Sequence, residues 1–137
     1  MKPVLTVQAT IDAPIEKIWM CWTEPAHIMN WNSASDDWHT VRAENDLHVG
    51  GVFLSRMEAK DGSFGFDFGG TYTNVEPMKA ISYTMGDGRK VDIAFEQNEN
   101  GVMVTERFEA EGEHSLDMQK NGWQAILDHF KTYVLAL

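Results

Sequence analysis

Glu106 is an acidic side chain that the sequence pattern places among apolar neighbours. It falls in the same alternating row as Val102, Val104 and Phe108, so a strand at this position would point it into the protein interior. A carboxyl group in such surroundings can anchor a ligand or act as a general acid or base. The other reading is that the strand frays near its end, in which case Glu106 is solvated.

A buried Glu106 has two physical options. Loss of water either raises the pKa of its carboxyl group or requires a hydrogen-bonding neighbour. Tyr72, Tyr83, Arg56 and a side chain of the last helix are the candidate neighbours. We regard Glu106 as a weak catalytic candidate only, because no second catalytic group accompanies it in a recognisable motif.

Other chemistry has little support in the sequence. We find no nucleophile elbow, phosphate-binding glycine loop, dinucleotide fingerprint or zinc-helix motif. No two histidines have the spacing of metal ligands on one helix or strand, so we expect neither a metal nor a cofactor. Cys21 lies beside Trp22 without an obvious base or cation, which predicts a buried and inert thiol. The five histidines are His27, His39, His48, His114 and His129.

Length and charge limit the classes of function. A chain of 137 residues fits a single domain, which we assign to residues 1–137. The formal net charge of -10 argues against binding to nucleic acid or to a membrane surface. One cysteine permits no internal disulfide, and no stretch reaches the roughly 20 apolar residues of a membrane span, so we expect a cytoplasmic protein.

The first part of the chain predicts a strand and two short helices. Apolar and polar residues alternate from Val4 to Ile11, which is typical of a half-buried strand. Pro14 suits the start of a helix whose apolar residues recur on one face, and this helix ends near Glu24. Pro25 can begin a second short helix.

The middle of the chain predicts an antiparallel meander. Between Trp38 and Glu111, turn residues such as Asp61-Gly62 and Asp87-Gly88 separate segments with apolar residues at even spacing. About six strands follow from this pattern. Gly69 and Gly70 interrupt the longest strand, where we expect a β-bulge or a sharp coil of the sheet.

The chain closes with a long amphipathic helix. Ser115 is a candidate N-cap, and the apolar residues up to Leu137 are spaced by threes and fours. Only the meander is large enough to cover the apolar face of this helix. These elements together predict an α+β fold in which one curved antiparallel sheet is wrapped around the C-terminal helix.

Several segments resemble a known family. They are Ile11–Trp19, the Gly50-Gly51 pair with Phe53 and Met57, Phe66–Tyr72, Gly122–Phe130 and, as the most specific part, Val104-Thr105-Glu106 to Phe130. Together they resemble the family named for the C-terminal domain of the activator of the heat-shock protein 90 ATPase, within the START-like superfamily. The resemblance implies the helix-grip fold, which is also that of the birch pollen allergen, with a hydrophobic cavity between the sheet and the last helix.

The resemblance does not imply one activity, because its superfamily includes lipid carriers, hormone binders and polyketide cyclases or aromatases. We expect a non-catalytic binder of a small hydrophobic molecule. An enzyme of the cyclase type that uses Glu106, and an interaction protein similar to the chaperone activator, are the alternatives. The family's eponym carries a further N-terminal domain without a counterpart here, so we do not expect a chaperone partner. The edge of the sheet and the short helices offer a surface for a homodimer.

The residues expected to line the cavity are Trp31, Phe53, Met57, Phe66, Phe68, Tyr72, Tyr83, Glu106, Trp123, Leu127 and Phe130.

Overall fold

The computed structural model describes residues 2–137, and its elements follow the order that the sequence predicts. A strand is followed by two short helices, six further strands and one long helix. The elements are β1 (Val4–Ile11), α1 (Ile15–Thr23), α2 (Pro25–Trp31), β2 (Trp38–Asn45), β3 (Val52–Ala59), β4 (Gly65–Glu76), β5 (Ala80–Met85), β6 (Lys90–Asn98), β7 (Gly101–Glu109) and α3 (Leu116–Ala136).

All seven strands form one antiparallel sheet in the order β1-β7-β6-β5-β4-β3-β2. Strands β2 to β7 therefore follow one another as a meander, and β1 pairs with the last of them. The sheet curls around α3, which confirms the predicted helix-grip fold. Strands β1 and β2 are its two edges. Helix α3 packs against β1, and α2 packs against β2.

The glycine pair in β4 does not form the expected β-bulge. Pairing with β3 continues through both residues, with Gly70 opposite Phe53 and Gly69 opposite Leu54. The register shift in β4 lies between Tyr72 and Asn74 instead. The glycines permit close approach of neighbouring backbones, since a Cβ on Gly70 would lie 2.6 Å from the carbonyl oxygen of Thr84.

The short helices close one end of the sheet. Pro25 is the first residue of α2, where its missing N–H leaves no helical hydrogen bond unmade. The indole Nε1 of Trp31 donates to the carbonyl oxygen of Cys21 at 2.8 Å, so the end of α2 is fixed to α1. Cys21 is fully buried, and burial raises the pKa of its thiol, in agreement with an unreactive side chain.

Helix α3 is fixed at its start and along one face. The Ser115 hydroxyl accepts a hydrogen bond from the backbone N–H of Met118 at 3.1 Å, which confirms the predicted N-cap. Leu127, Phe130 and Val134 are fully buried and hold the second half of the helix against the core. Within residues 2–137, no helix is both long and apolar enough to cross a membrane.

Candidate functional site

A cavity of about 390 Å³ lies between the concave face of the sheet and the first half of α3. Helices α1 and α2 close it at one end. All of the residues expected to line a cavity contribute to its wall except Leu127 and Phe130. The contributing residues are Trp31, Phe53, Met57, Phe66, Phe68, Tyr72, Tyr83, Glu106 and Trp123.

Leu127 and Phe130 belong to the packed core and not to the cavity wall. Both are fully buried. The ring of Phe130 meets Trp22 and Trp31 edge to face, with each pair of ring centroids 4.8 Å apart. The second half of α3 therefore rests on α1 and α2, and only its first half borders the cavity, through Gln119, Trp123 and Ile126.

Several wall residues were not predicted. Ser55, Ile81 and Ile93 share the inward-facing parity of predicted neighbours on their strands, so the two-residue period carried a signal for them. Arg89 precedes β6 and His114 lies in the loop before α3. Loops have no hydrophobic periodicity that could predict the direction of these two side chains. Only the tertiary structure brings Arg89 and His114 to the cavity.

Aromatic rings form most of the wall on the side of β3, β4 and β5. Phe53 lies at the centre of this group, with its ring centroid 4.7 Å from Tyr83, 5.2 Å from Tyr72 and 5.9 Å from Phe68. Phe68 in turn meets Trp123 of α3 edge to face at 6.1 Å. This continuous ring network makes the interior surface largely apolar.

Glu106 points into the interior and is 6% exposed. It lies opposite Val7 on β1 and Ile93 on β6, so apolar side chains flank it on both neighbouring strands. Burial raises the pKa of its carboxyl group to about 8, and among residues 2–137 no group donates a hydrogen bond to it. This shift favours the neutral carboxylic acid form of Glu106 at neutral pH.

The candidate neighbours of Glu106 are arranged differently from the expectation. Arg56 faces outward, where its guanidinium binds Glu58 at 3.0 Å and Asp67 at 3.5 Å. The Tyr72 hydroxyl donates to Oδ1 of Asn45. Neither residue compensates the buried carboxyl.

Tyr83 is the candidate neighbour on which Glu106 acts electrostatically. Burial in first place, and the charge of Glu106 in second, raise the pKa of the Tyr83 hydroxyl well above its usual value. Within the described part of the chain, this hydroxyl has no hydrogen-bonding partner that would lower that pKa. Tyr83 therefore remains a neutral donor throughout the physiological pH range.

The polar wall residues in loops lie at the rim of the cavity. The Arg89 side chain is 15% exposed, and its Nε donates to Oδ2 of Asp87 at 2.8 Å. His114 is exposed and donates its backbone N–H to the carboxylate of Glu111 at 2.6 Å. This bond is the main cause that lowers the pKa of Glu111. Carboxylate and imidazole atoms of the kind that bind metal ions lie within 4.8 Å of one another in Glu111, Glu113 and His114. The sequence spacing did not predict this cluster.

Comparison with known proteins decides the family. The family model of Activator of Hsp90 ATPase homolog 1-like (AHSA1-like) proteins matches residues 12–135, nearly the whole chain. The chain belongs to this family. None of the curated proteins has a matching sequence.

Solved structures agree with AHSA1-like membership. The chain is similar to an AHSA1-like protein from Aeromonas hydrophila, with 48% identity over 98% of this chain and 93% of that one and a TM-score of 0.93. A protein from Cytophaga hutchinsonii has 47% identity over 98% and 92% of the two chains and a TM-score of 0.81. A Nitrosomonas europaea protein shares the fold at 18% identity, covering 97% and 94%, with a TM-score of 0.84.

Proposed function

We propose that this AHSA1-like protein binds a small apolar molecule in the cavity between the sheet and α3. The observation that carries the proposal is the cavity itself. Its volume of about 390 Å³ lies within the range of roughly 300 to 1,000 Å³ that is usual for ligand pockets. An interior of this size inside a small domain leaves apolar surface that a ligand can cover.

The composition of the wall supports the same proposal. Most wall residues are aromatic, Ile or Met, and Met57 and Met85 are flexible side chains that can adapt to ligands of different shape. Burial of apolar ligand surface contributes roughly 25 cal/mol per Å² to affinity before the entropy cost of binding. A few polar groups, Glu106 and Tyr83 among them, are available to orient the ligand.

The rim of the cavity offers a route to solvent. Phe66 is 46% exposed although it lines the cavity, and the side chains of Glu44 and His114 are also exposed. A ligand therefore does not need to cross the packed part of the core, where Leu127 and Phe130 lie.

Native mass spectrometry of protein purified without added ligand tests the proposal. We expect a bound small molecule, and titration of ligand-free protein with 2-ethylnaphthalene should show saturable binding at one site. Ser55→Leu adds apolar bulk inside the cavity and should weaken this binding at least about 10-fold. Thr71→Leu introduces the same side chain at an exposed position on β4 and should leave binding unchanged.

The outcomes separate clearly. Equal affinity of the two leucine variants and the natural protein would place the naphthalene outside the cavity and contradict the proposal. A folded natural protein without any saturable binding would contradict it as well. Circular dichroism of each variant confirms that the fold is retained.

Glu106 favours a second candidate function, which is proton transfer on a bound substrate. Its carboxyl group faces the cavity and its pKa of about 8 is close to the pH of the cell interior, as suits a general acid or base. The test is deuterium incorporation into the acetyl methyl group of 2-acetylnaphthalene in heavy water. Catalysis requires faster exchange with the natural protein than with Glu106→Gln, and equal rates would rule out this role of Glu106 for that ketone.

A further inference from the structure

Two buried polar groups of the cavity wall have no hydrogen-bonding partner among residues 2–137. Glu106 and Tyr83 are each 6% exposed. Within residues 2–137, hydrogen bonds contribute nothing to the pKa of either group, and no fully enclosed side-chain oxygen or nitrogen lacks a partner. The carboxyl and hydroxyl oxygens therefore open onto the cavity, and a bound molecule can satisfy both of them.

Sheet register places these two groups on the same face. Glu106 lies in one cross-strand row with Ile93 and Ile81, and Tyr83 follows Ile81 by two residues on β5. Two strand spacings and one two-residue step separate their Cα atoms by roughly 12 Å. Both side chains line the same cavity, and the charge of Glu106 acts on the Tyr83 hydroxyl.

The chemistry of the pair selects one kind of ligand group. A neutral carboxylic acid and a phenol each donate one hydrogen bond. The surrounding wall is apolar, and the basic side chain of Arg89 lies at the rim, where Asp87 binds it. Two donors on one wall, with the nearby Arg89 already paired to Asp87, favour an uncharged oxygen acceptor over a carboxylate.

We propose that Glu106 and Tyr83 form a two-donor clamp for one oxygen atom, so that the ligand of this cavity is an uncharged apolar molecule with a carbonyl group. This inference rests on the proposed ligand-binding function and specifies its ligand class. A cationic amine is the competing class, since an ionised Glu106 would pair with it. The two classes differ in the sign of their pH dependence.

Ionisation of Glu106 removes one donor from the clamp. The affinity for a ketone should therefore fall as the pH rises through about 8, whereas the affinity for an amine paired with the carboxylate should rise. Other titratable groups share the cavity, so a variant at position 106 has to assign the effect. These groups are Tyr72 and Tyr83 on the sheet, Glu44 on β2, and Arg89, Glu111 and His114 at the rim.

Three matched probes test the clamp: 2-acetylnaphthalene, 2-ethylnaphthalene and 1-(2-naphthyl)ethylamine. At about pH 6 the ketone should bind the natural protein about 10-fold more tightly than the ethyl compound, which corresponds to one or two hydrogen bonds. The carbonyl ¹³C resonance of the bound ketone should move downfield, as hydrogen-bond donors cause. At about pH 10 the preference for the ketone should shrink several-fold.

Variants assign the effect to the two residues. Glu106→Gln keeps a donor that does not ionise, so it should retain the preference for the ketone and lose its pH dependence. Glu106→Met removes this donor at similar size and should reduce the preference for the ketone, because only Tyr83 then donates. Tyr83→Phe should reduce the ketone preference and leave the ethyl compound unaffected.

The results distinguish failure of the clamp from failure of the cavity proposal. Equal binding of ketone and ethyl compound by the natural protein would overturn the clamp and leave apolar binding intact. Tighter binding of the amine that strengthens with pH would overturn it in favour of a cationic ligand. If none of the probes binds the folded protein, the cavity proposal fails and the clamp fails with it.

Discussion

The indole of Trp123 on α3 stacks on the ring of Phe108 on β7, with ring centroids 3.9 Å apart and planes 8° from parallel. Phe108 is fully buried, whereas Trp123 is half-buried and lines the cavity. One face of the indole thus contacts the core, and the indole also makes a T-shaped contact with Phe68. This stack fixes the distance between the sheet and the first half of α3, and so helps to keep the cavity open.

Replacement of Phe108 should therefore destabilise the fold and release Trp123. We expect Phe108→Ala to lower the free energy of unfolding by about 3 to 5 kcal/mol, the usual cost of removing a buried aromatic side chain. Urea unfolding measures the change, and the near-ultraviolet circular dichroism of the aromatic side chains reports the loss of the stack. Phe64→Ala, at a position 73% exposed, should change stability by less than about 0.5 kcal/mol. Similar losses of unfolding free energy in both variants would show that the stack does not stabilise the fold.

Glu106 should make the protein less stable as the pH rises. Its pKa is raised from 4.5 to about 8 on folding, so the folded state holds a proton that the unfolded state has released between these values. The free energy of unfolding falls across this window by up to about 1.4 kcal/mol per pH unit. The stability that protonated Glu106 contributes is fully present below the unfolded-state pKa of 4.5 and is lost above the folded-state pKa of about 8.

Glu106→Gln removes this pH dependence. Between about pH 5 and a pH above about 8, the free energy of unfolding of the variant should therefore gain several kcal/mol relative to that of the natural protein. Urea unfolding of both proteins at the two pH values measures the effect. Glu96→Gln changes an exposed carboxyl on β6, and its free energy of unfolding should depend on pH in the same way as that of the natural protein. A Glu106→Gln curve with the same pH slope as the natural protein would mean that the carboxyl is solvated.

The close approach of β4 and β5 at Gly70 predicts that any side chain at this position lowers the free energy of unfolding. An added Cβ would lie 2.6 Å from the carbonyl oxygen of Thr84, so the backbone of β5 has to move. We expect Gly70→Ala to reduce the free energy of unfolding by about 1 to 3 kcal/mol. Gly86→Ala is the matched control, because nothing lies within 4 Å of its added Cβ, and thermal unfolding compares the two. Gly70→Ala at natural stability would contradict close packing at this point.

Tyr72 and Asn45 couple the sheet to the helical end of the cavity. The Tyr72 hydroxyl donates to Oδ1 of Asn45, and Nδ2 of Asn45 donates to the carbonyl oxygen of Thr23 at 2.6 Å. Tyr72→Phe leaves the Asn45 oxygen without its donor and should cost about 1 to 2 kcal/mol of unfolding free energy. A double-mutant cycle with Asn45→Ala should yield a coupling energy of about 1 kcal/mol, and additive effects would argue that the bond contributes nothing.

Much of the fold could be predicted because local patterns repeat along each element. Alternation in β1, proline at the start of α2 and the N-cap Ser115 each rest on neighbours a few residues away, and all three are found in the structure. Two-residue periodicity likewise indicated an inward-facing Glu106, with a frayed and solvated strand end as the alternative, and the structure has this side chain buried.

Only the tertiary structure decided which inward residues border empty space and which are packed. Leu127 and Trp123 lie one turn apart on the same helix, yet one is fully enclosed and the other lines the cavity, because α1 and α2 cover just the second half of α3. Arg89 and His114 reach the rim through loops that have no period. The sequence could not show that Glu106 has no hydrogen-bonding partner in the described part of the chain, since the direction of Arg56 and the bond of Tyr72 to Asn45 depend on how the sheet curls.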